Sequence, residues 1–598
     1  MTKTIYQVMA MCDYYKLSHR EQYPTGTEIV YSMWTPRSNK YFPKADKVVE
    51  FGIQAFVKKY LIKYFNEHFF NRPLDEIVAE YKRFIKYTLG KEEVETKHIE
   101  DLHELGYLPI RIKALKEGTK VPVKTPMMTI ENTDSRFFWL TNFLETIISN
   151  EIWLPMTTAT IAYTYRQLLD KYAIETTGTT DGVEFQGHDF SMRGMGAFEA
   201  SVASGAGHLL SFVGTDTPMA ISHLEEYYNA NIENEMVGTS IPATEHSVMC
   251  AYGNESEFEL FKHLMTNVYP TGFFSVVSDT WDFWKVIGEY LPTLKDEIMN
   301  RDGRVVIRPD SGNPVDILCG RGYEHGEPYE INISSDVIEE ILENNDEMRL
   351  NLRNYDKELY TEIKDITWDL WNDSTDHDLD YGDNYFIFHV KTSDNVIYTT
   401  EINITDYERY ECVVMDKFEA SFYKENINEL EQKGLIEALW GIFGGTITSQ
   451  GYKVLDPHIG AIYGDSITLE RAEEIVERLK QKGFASTNVV FGIGSYSYQY
   501  QTRDTFGFAM KATYAMVNGE ERMLFKDPKT DDGTKKSLRG RVVVFEDLDG
   551  EIRYQDGLDL EGEYEVASAM GNLLELVFED GELKRDQSLS EIRNILFS

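Results

Sequence analysis

The chain has 598 residues, 42% hydrophobic and 13% aromatic, enough for a large core and roughly two to four domains. A net charge of −41 repels nucleic acid and anionic membrane, so neither is an expected partner, and an anionic substrate would need a local basic cluster. No run approaches the ~18 apolar residues of a membrane span, the opening Met-Thr-Lys-Thr-Ile-Tyr has no signal-like apolar core, and Cys12, Cys250, Cys319 and Cys412 form neither a CxxC nor a zinc spacing, all of which fits a reducing cytoplasm.

Residues 1–152 mix short strands with amphipathic helices. Phe51 to Phe65 carries apolar residues at three-to-four spacing, and Thr133 to Glu151 reads as a second helix behind a Thr-Asp cap. From 153 to 322 short strands alternate with helices: a small-residue helix at Ala197–Ser211, then strands at Ser275–Asp279 and Val305–Arg308. Between 323 and 432 stand roughly 29 acidic against 8 basic residues, about half the net charge. Trp368, Trp371, Tyr385, Phe386 and Phe388, with a hairpin expected from Tyr385–Lys391 and Val396–Thr405, argue that this segment (323–435) is a folded acidic α+β insertion rather than a disordered tail. The alternation resumes over 436–499 with strand Ile459–Gly464, helix Thr468–Lys482 and strand Thr487–Phe491. Residues 500–598 return to strands and turns, with a hairpin across Val542–Tyr554 and a last helix from Ser590. The expected class is α/β, a parallel barrel-like core with an α+β domain built from both terminal parts.

Several strand ends carry chemistry. In Val305-Val-Ile-Arg-Pro-Asp-Ser-Gly-Asn-Pro314, Arg308 suits a phosphate or polarised oxygen, and Asp310 suits ribose hydroxyls or a metal-bound phosphate. In His188-Asp-Phe-Ser-Met-Arg193, Phe190 could stack on a planar ring and Arg193 hold an anion or a carbonyl. Asp216, at a Gly-flanked loop tip, is an acceptor for a ligand N–H. His246, beside Glu245 in a Pro-containing loop, is an acid/base or phosphate-acceptor candidate. Gly464-Asp465 and the Gly494-Ser495 turn follow strands, where glycine lets backbone N–H groups approach phosphate. Arg503, Lys511, Lys526, Lys535, Lys536, Arg539 and Arg541 form a basic run in an acidic protein and read as a polyphosphate pocket. Taken singly, each also fits a bland role: a satisfied salt bridge, an Asx turn, a structural histidine or a solvated surface.

Together these motifs run in a familiar order. Asp13-Tyr-Tyr15-Lys16, His19, Gln22-Tyr-Pro24, Glu131-Asn-Thr-Asp134, Trp139-Leu-Thr-Asn142, His188-Asp-Phe190, Arg193-Gly, Gly214-Thr-Asp-Thr217, Glu245-His246-Ser, Val276-Val-Ser-Asp279, Ile307 to Pro314, Gly464-Asp465, Thr502-Arg-Asp504 and Phe525-Lys-Asp-Pro528 resemble the nicotinamide phosphoribosyltransferases over most of the chain outside 323–432. The resemblance implies a type II phosphoribosyltransferase fold and a homodimer with active sites shared across the interface. It implies transfer of a phosphoribosyl group from phosphoribosyl pyrophosphate, with Mg²⁺, to nicotinamide, and ATP as a coupled co-substrate. Phe190 and the Tyr15 of a second copy would sandwich the pyridine ring, with Asp13, Ser240 and Ser275 in the substrate site. Asp216 would accept the carboxamide N–H, Arg308 would reach the carboxamide oxygen or phosphates, and Asp310, Gly464 and Asp465 would hold the ribose. Gly494, Ser495, Arg503 and Lys511 would hold the 5′-phosphate, and Arg37, Arg193, Lys526 and Lys535 pyrophosphate or ATP phosphates. His246, oriented by Asp279, would be the phosphohistidine. No protein-only metal site is expected.

Three positions depart from the family pattern: Gly494-Ser495-Tyr496 replaces a glycine-rich phosphate loop, Ala509 stands where a phosphate-binding Ser is usual, and Gly460 where an Arg is usual. The insertion either caps the site mouth or is an interaction module. The rival functions are a nicotinate phosphoribosyltransferase of the same fold and a catalytically inactive nucleotide-binding or interaction protein.

Overall fold

The computed structural model describes residues 7–321, 429–526 and 537–598, plus the short insertion segments 329–330, 385–391, 393, 397–404 and 418–424. Lys535, Lys536, Trp368 and Trp371 lie outside the described residues.

Two sheets organise the molecule. The first has seven strands, in the order Glu520–Met523, Ala509–Val517, Thr27–Thr35, Met128–Asn132, Ile110–Ala114, Glu575–Glu579 and Glu582–Leu583. Strands from the C-terminal part thus flank strands from the N-terminal part, as expected. Arg541 begins the strand Arg541–Glu546 next to this sheet and is 3% exposed. Its guanidinium donates to Glu563 and, at 2.8 Å, to Glu131, and it lies between the rings of Tyr31 and Tyr514 at 4.3 and 5.3 Å. Arg541 therefore belongs to a buried ion cluster and not to the polyphosphate pocket read from the basic run.

The second sheet has six parallel strands: Gly214–Thr215, Gly187–Asp189, Val489–Ile493, Ile459–Tyr463, Val305–Arg308 and Phe274–Val277. Its two edges are joined by one extended segment. Thr239 bridges Gly214 and Ala243 bridges Ser275, both parallel, with Thr215 N donating to Thr239 O at 2.9 Å and Ser275 N to Pro242 O at 2.8 Å. The sheet therefore closes into a barrel with 239–243 as its seventh stave. Closure leaves no free edge and turns every strand's C-terminal end to the same rim.

A 38-residue helix, Leu140–Thr177, joins the two cores. Ile148, Ile152 and Met156 pack under the first sheet, and Ile161 to Ala173 pack in the barrel core. The sequence expectation stopped this helix at Glu151 and began it at Thr133. In fact Asp134 caps a separate short turn, Ser135–Phe137, and the helix runs on through Pro155. The proline costs one helical hydrogen bond. Its ring is seated against Gly52, where a Cβ would stand 2.8 Å from Pro155 Cγ.

The insertion hangs from a narrow neck. Arg321 N donates to Glu431 O at 3.0 Å. A Cβ on Gly320 would stand 2.8 Å from the carbonyl carbon of Lys433, and one on Gly434 2.8 Å from Gly320 Cα, so both neck glycines are there for backbone contact, each at positive φ. Lys482 Nζ ties the neck by donating to Cys319 O and Lys433 O, both at 2.7 Å. Beyond it Tyr385–Lys391 pairs antiparallel with Ile397–Ile404, the expected hairpin, and Phe418–Lys424 and Tyr329–Glu330 complete a four-stranded sheet.

Candidate active site

The barrel rim collects the motifs. Each stave ends in at least one of them: Phe190 after Gly187–Asp189, Asp216 after Gly214–Thr215, His246 after 239–243, Asp279 after Phe274–Val277, Asp310 after Val305–Arg308, Gly464-Asp465 after Ile459–Tyr463, and Gly494-Ser495 after Val489–Ile493. Rigid strands with functional groups on the loops above them are the usual plan for barrel chemistry.

Phe190 is fixed by its surroundings. Its N–H donates to Ile493 O at 3.0 Å. Two glycines lie under its ring: a Cβ on Gly464 or on Gly492 would stand 2.6 Å from Phe190 Cε2. The same Gly464 position is 3.8 Å from Asp310 Oδ1, so the Phe190 ring and the Asp310 carboxylate both lie close to Gly464.

The loop after Val305–Arg308 is held from below. Asp279 Oδ2 accepts Asp310 N at 2.9 Å, Ser311 N at 2.7 Å and Ser311 Oγ at 2.6 Å. Tyr463 OH donates to Ser311 O and Gly312 O at 3.0 Å, and Asn313 caps the helix Pro314–Cys319 by accepting Val315 N at 3.0 Å. Asp279 Oδ1 is buried with no hydrogen-bond partner and lies 3.9 Å from His246 Nε2, with Asp310 Oδ2 at 3.7 Å from the same nitrogen. His246 Nδ1 meets Thr280 Oγ1 at 3.1 Å. Arg308 Nη2 donates to Thr244 O at 2.7 Å, and Nη1 lies 3.8 Å from Asp310 Oδ1.

Asp216 Oδ1 accepts from His188 Nε2 and from Ser240 Oγ, each at 2.9 Å. Burial pushes its carboxyl up, but the hydrogen bond and charge of His188, Ser240 and Arg308 outweigh that and hold it below the ordinary aspartate value. Ser275 sits within its strand rather than at the end, and its Oγ is buried and unpartnered. Arg193 is exposed on the rim and makes no hydrogen bond among the described residues, while Asp465 is also exposed. Ser495 fits its loop because Gly194 lies opposite, where a Cβ would stand 2.6 Å from Ser495 Cβ. At Gly460 the vacant space is taken from the neighbouring strand: Arg304 Cδ lies 3.1 Å from where its Cβ would be.

A second group lies on the seven-stranded sheet and its edges. Asp13 is tied to Thr146 of the long helix at 2.8 Å, and Lys16 pairs with Glu145. Arg37 Nε donates to Gly507 O at 2.8 Å, and Lys511 stands opposite Met33 in the pairing of Ala509–Val517 with Thr27–Thr35. Burial first, then Arg37, Lys526 and Lys16 against the pull of Glu145, hold the Lys511 amine below the ordinary lysine value. Burial, Asp13 and Glu145 raise the half-exposed Tyr15 hydroxyl, and Arg503 opposes them. Tyr15, Arg37, Arg503, Lys511 and Lys526 are thus one basic cluster. Among the described residues no hydrogen bond or ion pair joins it to the rim set. Nor do these residues include a group of three or more metal-ligating side chains.

Sequence reasoning gave no role to Asp189, Gly492 or Thr280, and none to His188 as a partner of Asp216. Asp189 is fully buried and accepts from Ser191 N, Ser191 Oγ and Thr217 Oγ1 at 2.6 to 2.9 Å, which shapes the turn carrying Phe190. The His188–Asp216 and Thr217–Asp189 pairings span neighbouring staves, so only the strand order reveals them.

The nicotinate phosphoribosyltransferase (NAPRTase) family matches residues 185–360 and 412–580, and the nicotinamide phosphoribosyltransferase N-terminal domain matches 7–112. A nicotinamide phosphoribosyltransferase of Acinetobacter baylyi is 42% identical over 594 residues, covering 98% of this chain and 96% of that protein. One of Mycoplasma pneumoniae is 31% identical over 89% of this chain and 94% of its own length, and one of Xanthomonas campestris pv. campestris is 28% identical over 97% and 96%. The chain therefore belongs to the nicotinate phosphoribosyltransferase family and, by its N-terminal domain and its 42%-identical relative, to the nicotinamide phosphoribosyltransferases within it.

Proposed function

We propose that this chain transfers the 5-phosphoribosyl group from phosphoribosyl pyrophosphate to nicotinamide, giving nicotinamide mononucleotide and pyrophosphate in NAD salvage. The observation that carries the reading is the Phe190 ring seated on Gly464 and Gly492 at the barrel rim, with Asp310 Oδ1 beside Gly464. The pyridine nitrogen is already a nucleophile, so no general base is needed. The work lies in aligning it with C1 of the ribose and in stabilising an oxocarbenium-like state and the departing pyrophosphate. Phe190 would plate the ring, Asp216 would accept the carboxamide N–H, and Asp310 with Gly464 and Asp465 would hold the ribose.

The phosphates need cations, and the basic cluster, joined to the rim by no hydrogen bond or ion pair among the described residues, would supply them. We infer a homodimer in which Tyr15, Arg37, Arg503, Lys511 and Lys526 of one copy complete the rim of the other. Mg²⁺ fits this arrangement as a companion of the pyrophosphate, since it binds mainly through phosphate oxygens and water with few protein ligands, and Asp310 and the orphaned Asp279 Oδ1 are the carboxylate oxygens that would hold it. When bound it would neutralise charge on the leaving group. His246 would carry the phosphoryl group that couples ATP hydrolysis to synthesis, a role supported by its half-exposed ring between Thr280 and two carboxylates.

The test is product formation from nicotinamide, phosphoribosyl pyrophosphate and Mg²⁺, with and without ATP, and with nicotinate in parallel. Nicotinamide mononucleotide formed faster with ATP supports both parts. An ionised Asp216 repels the carboxylate of nicotinate. Product from nicotinate alone would overturn the assignment of Asp216, and no product from either base would favour a binding protein.

A further inference from the structure

His188 touches both groups that would recognise the base, and nothing so far gives it a task. It is the middle residue of the strand Gly187–Asp189 and is 9% exposed. Its ring stands edge-on to Phe190 with centroids 4.9 Å apart. On its other side a Cβ on Gly214 would stand 2.7 Å from Nδ1, so the Gly214 backbone closes that face. A carboxylate only accepts, so the hydrogen between His188 and Asp216 sits on Nε2. Oδ1 of Asp216 thus takes two donors, His188 and Ser240, while Oδ2 has no hydrogen bond among the described residues.

The terminal torsion of an aspartate is broad, so an unheld carboxylate turns freely. We infer that His188 is a positioning residue that sets base specificity: it fixes the rotation of Asp216 so that Oδ2 faces the ring slot, and it fixes the plane of Phe190 beside it. This rests on the nicotinamide reading. A held Oδ2 meets a carboxamide N–H directly and confronts a carboxylate with like charge at short range. A freely turning carboxylate does both less well, and discrimination falls.

The scaffold beneath does not depend on the His188 ring. Gly214 O is held by His208 Nε2 at 3.0 Å, and His208 Nδ1 meets Tyr498 OH at 2.7 Å. Burial pushes His208 down to about 4, and it works there as a neutral ring. Asp189 is held separately by Ser191 and Thr217. Substitution at 188 is therefore expected to leave the rim folded.

The experiment compares kcat/KM for nicotinamide and for nicotinate in wild type, His188→Phe, His188→Asn and His188→Gln. Phe keeps the ring and removes the donor, Asn is too short to reach Asp216, and Gln retains an N–H at similar reach. For Phe and Asn the nicotinamide-to-nicotinate ratio is expected to fall about tenfold, mostly through KM for nicotinamide, with kcat within about threefold. Gln should keep the ratio within about threefold of wild type. In an Asp216→Asn background His188→Phe should add nothing to the ratio, because its effect passes through Asp216. Should the Phe variant not fold, Asn carries the same test. An unchanged ratio in a folded donor-less variant, or equal effects of Gln and Phe, would overturn the inference. Wild type inactive on both bases would instead overturn the functional reading, and the role of His188 with it.

Discussion

The barrel rim and the basic cluster solve different problems by different physics. On the rim, position is set by contact. Phe190 lies on two glycines, Asp279 Oδ2 gathers three donors, and Asp216 Oδ1 takes two. In the basic cluster, Lys511 sits among Arg37, Lys526 and Lys16, and its amine is held below the ordinary lysine value. Such a face is uncomfortable until an anion arrives. A planar uncharged base must be placed to a fraction of an ångström, whereas a polyphosphate is captured by charge at longer reach. One half-site should therefore fail sharply when its packing changes, and the other should weaken by degrees.

The largest expected effect is on the sheet that carries the cations. Arg541→Met leaves Glu131 and Glu563 buried without their guanidinium, and loss of about 3–5 kcal/mol is expected in denaturant unfolding. A loss under about 1 kcal/mol would show that the cluster is not what anchors the C-terminal strand. Next comes the rim. Gly492→Ala puts a methyl 2.6 Å from both Gly464 Cα and Phe190 Cε2, and a fall of about 100-fold in kcat/KM is expected in a folded protein. Retention of activity would mean the ring can move and that contact does not set its place.

Lys511→Ala and Lys526→Ala should each raise KM for phosphoribosyl pyrophosphate about tenfold, with less effect in high salt, where screening has already weakened both. Because Lys511 holds its proton less tightly than an ordinary lysine, wild-type KM should begin to rise below pH ~10.4, as the charge that binds phosphate is lost. A flat profile to that pH would remove Lys511 from the phosphate site. The smallest effect is expected from the insertion. The helix Pro314–Cys319 carries the chain about 9 Å from the rim before the neck, so joining Arg321 to Glu431 through a short linker should leave turnover within about threefold. A larger loss would restore the cap reading.

Much of this was legible in the sequence. The places of strand-ending motifs such as Arg308-Pro-Asp310 and Gly464-Asp465 were legible because β-formers followed by a turn mark a strand end, although each motif alone also fitted a bland role. The Tyr385 hairpin was visible from two strand-like runs flanking the turn residues Thr392-Ser-Asp-Asn395. What stayed hidden depends on strand order. His188 and Asp216 are 28 residues apart, and their staves prove adjacent only in the folded sheet. Arg541 looked like a phosphate ligand because charge in a sequence carries no burial. The long helix was cut short because Pro155 usually ends a helix, and the glycine that seats it lies at position 52, far away in sequence.

The claim that the two half-sites meet between subunits is tested by complementation. Asp310→Asn damages only the rim and Lys511→Ala only the basic cluster, so each homodimer is impaired at both sites. Unfolded and refolded together, the two should form mixed dimers in which one site has both defects and the other none, giving about a quarter of wild-type activity overall. That recovery is the predicted result. Mixed dimers that form but show no gain over the separate variants would place both halves of each site on one chain and contradict the account.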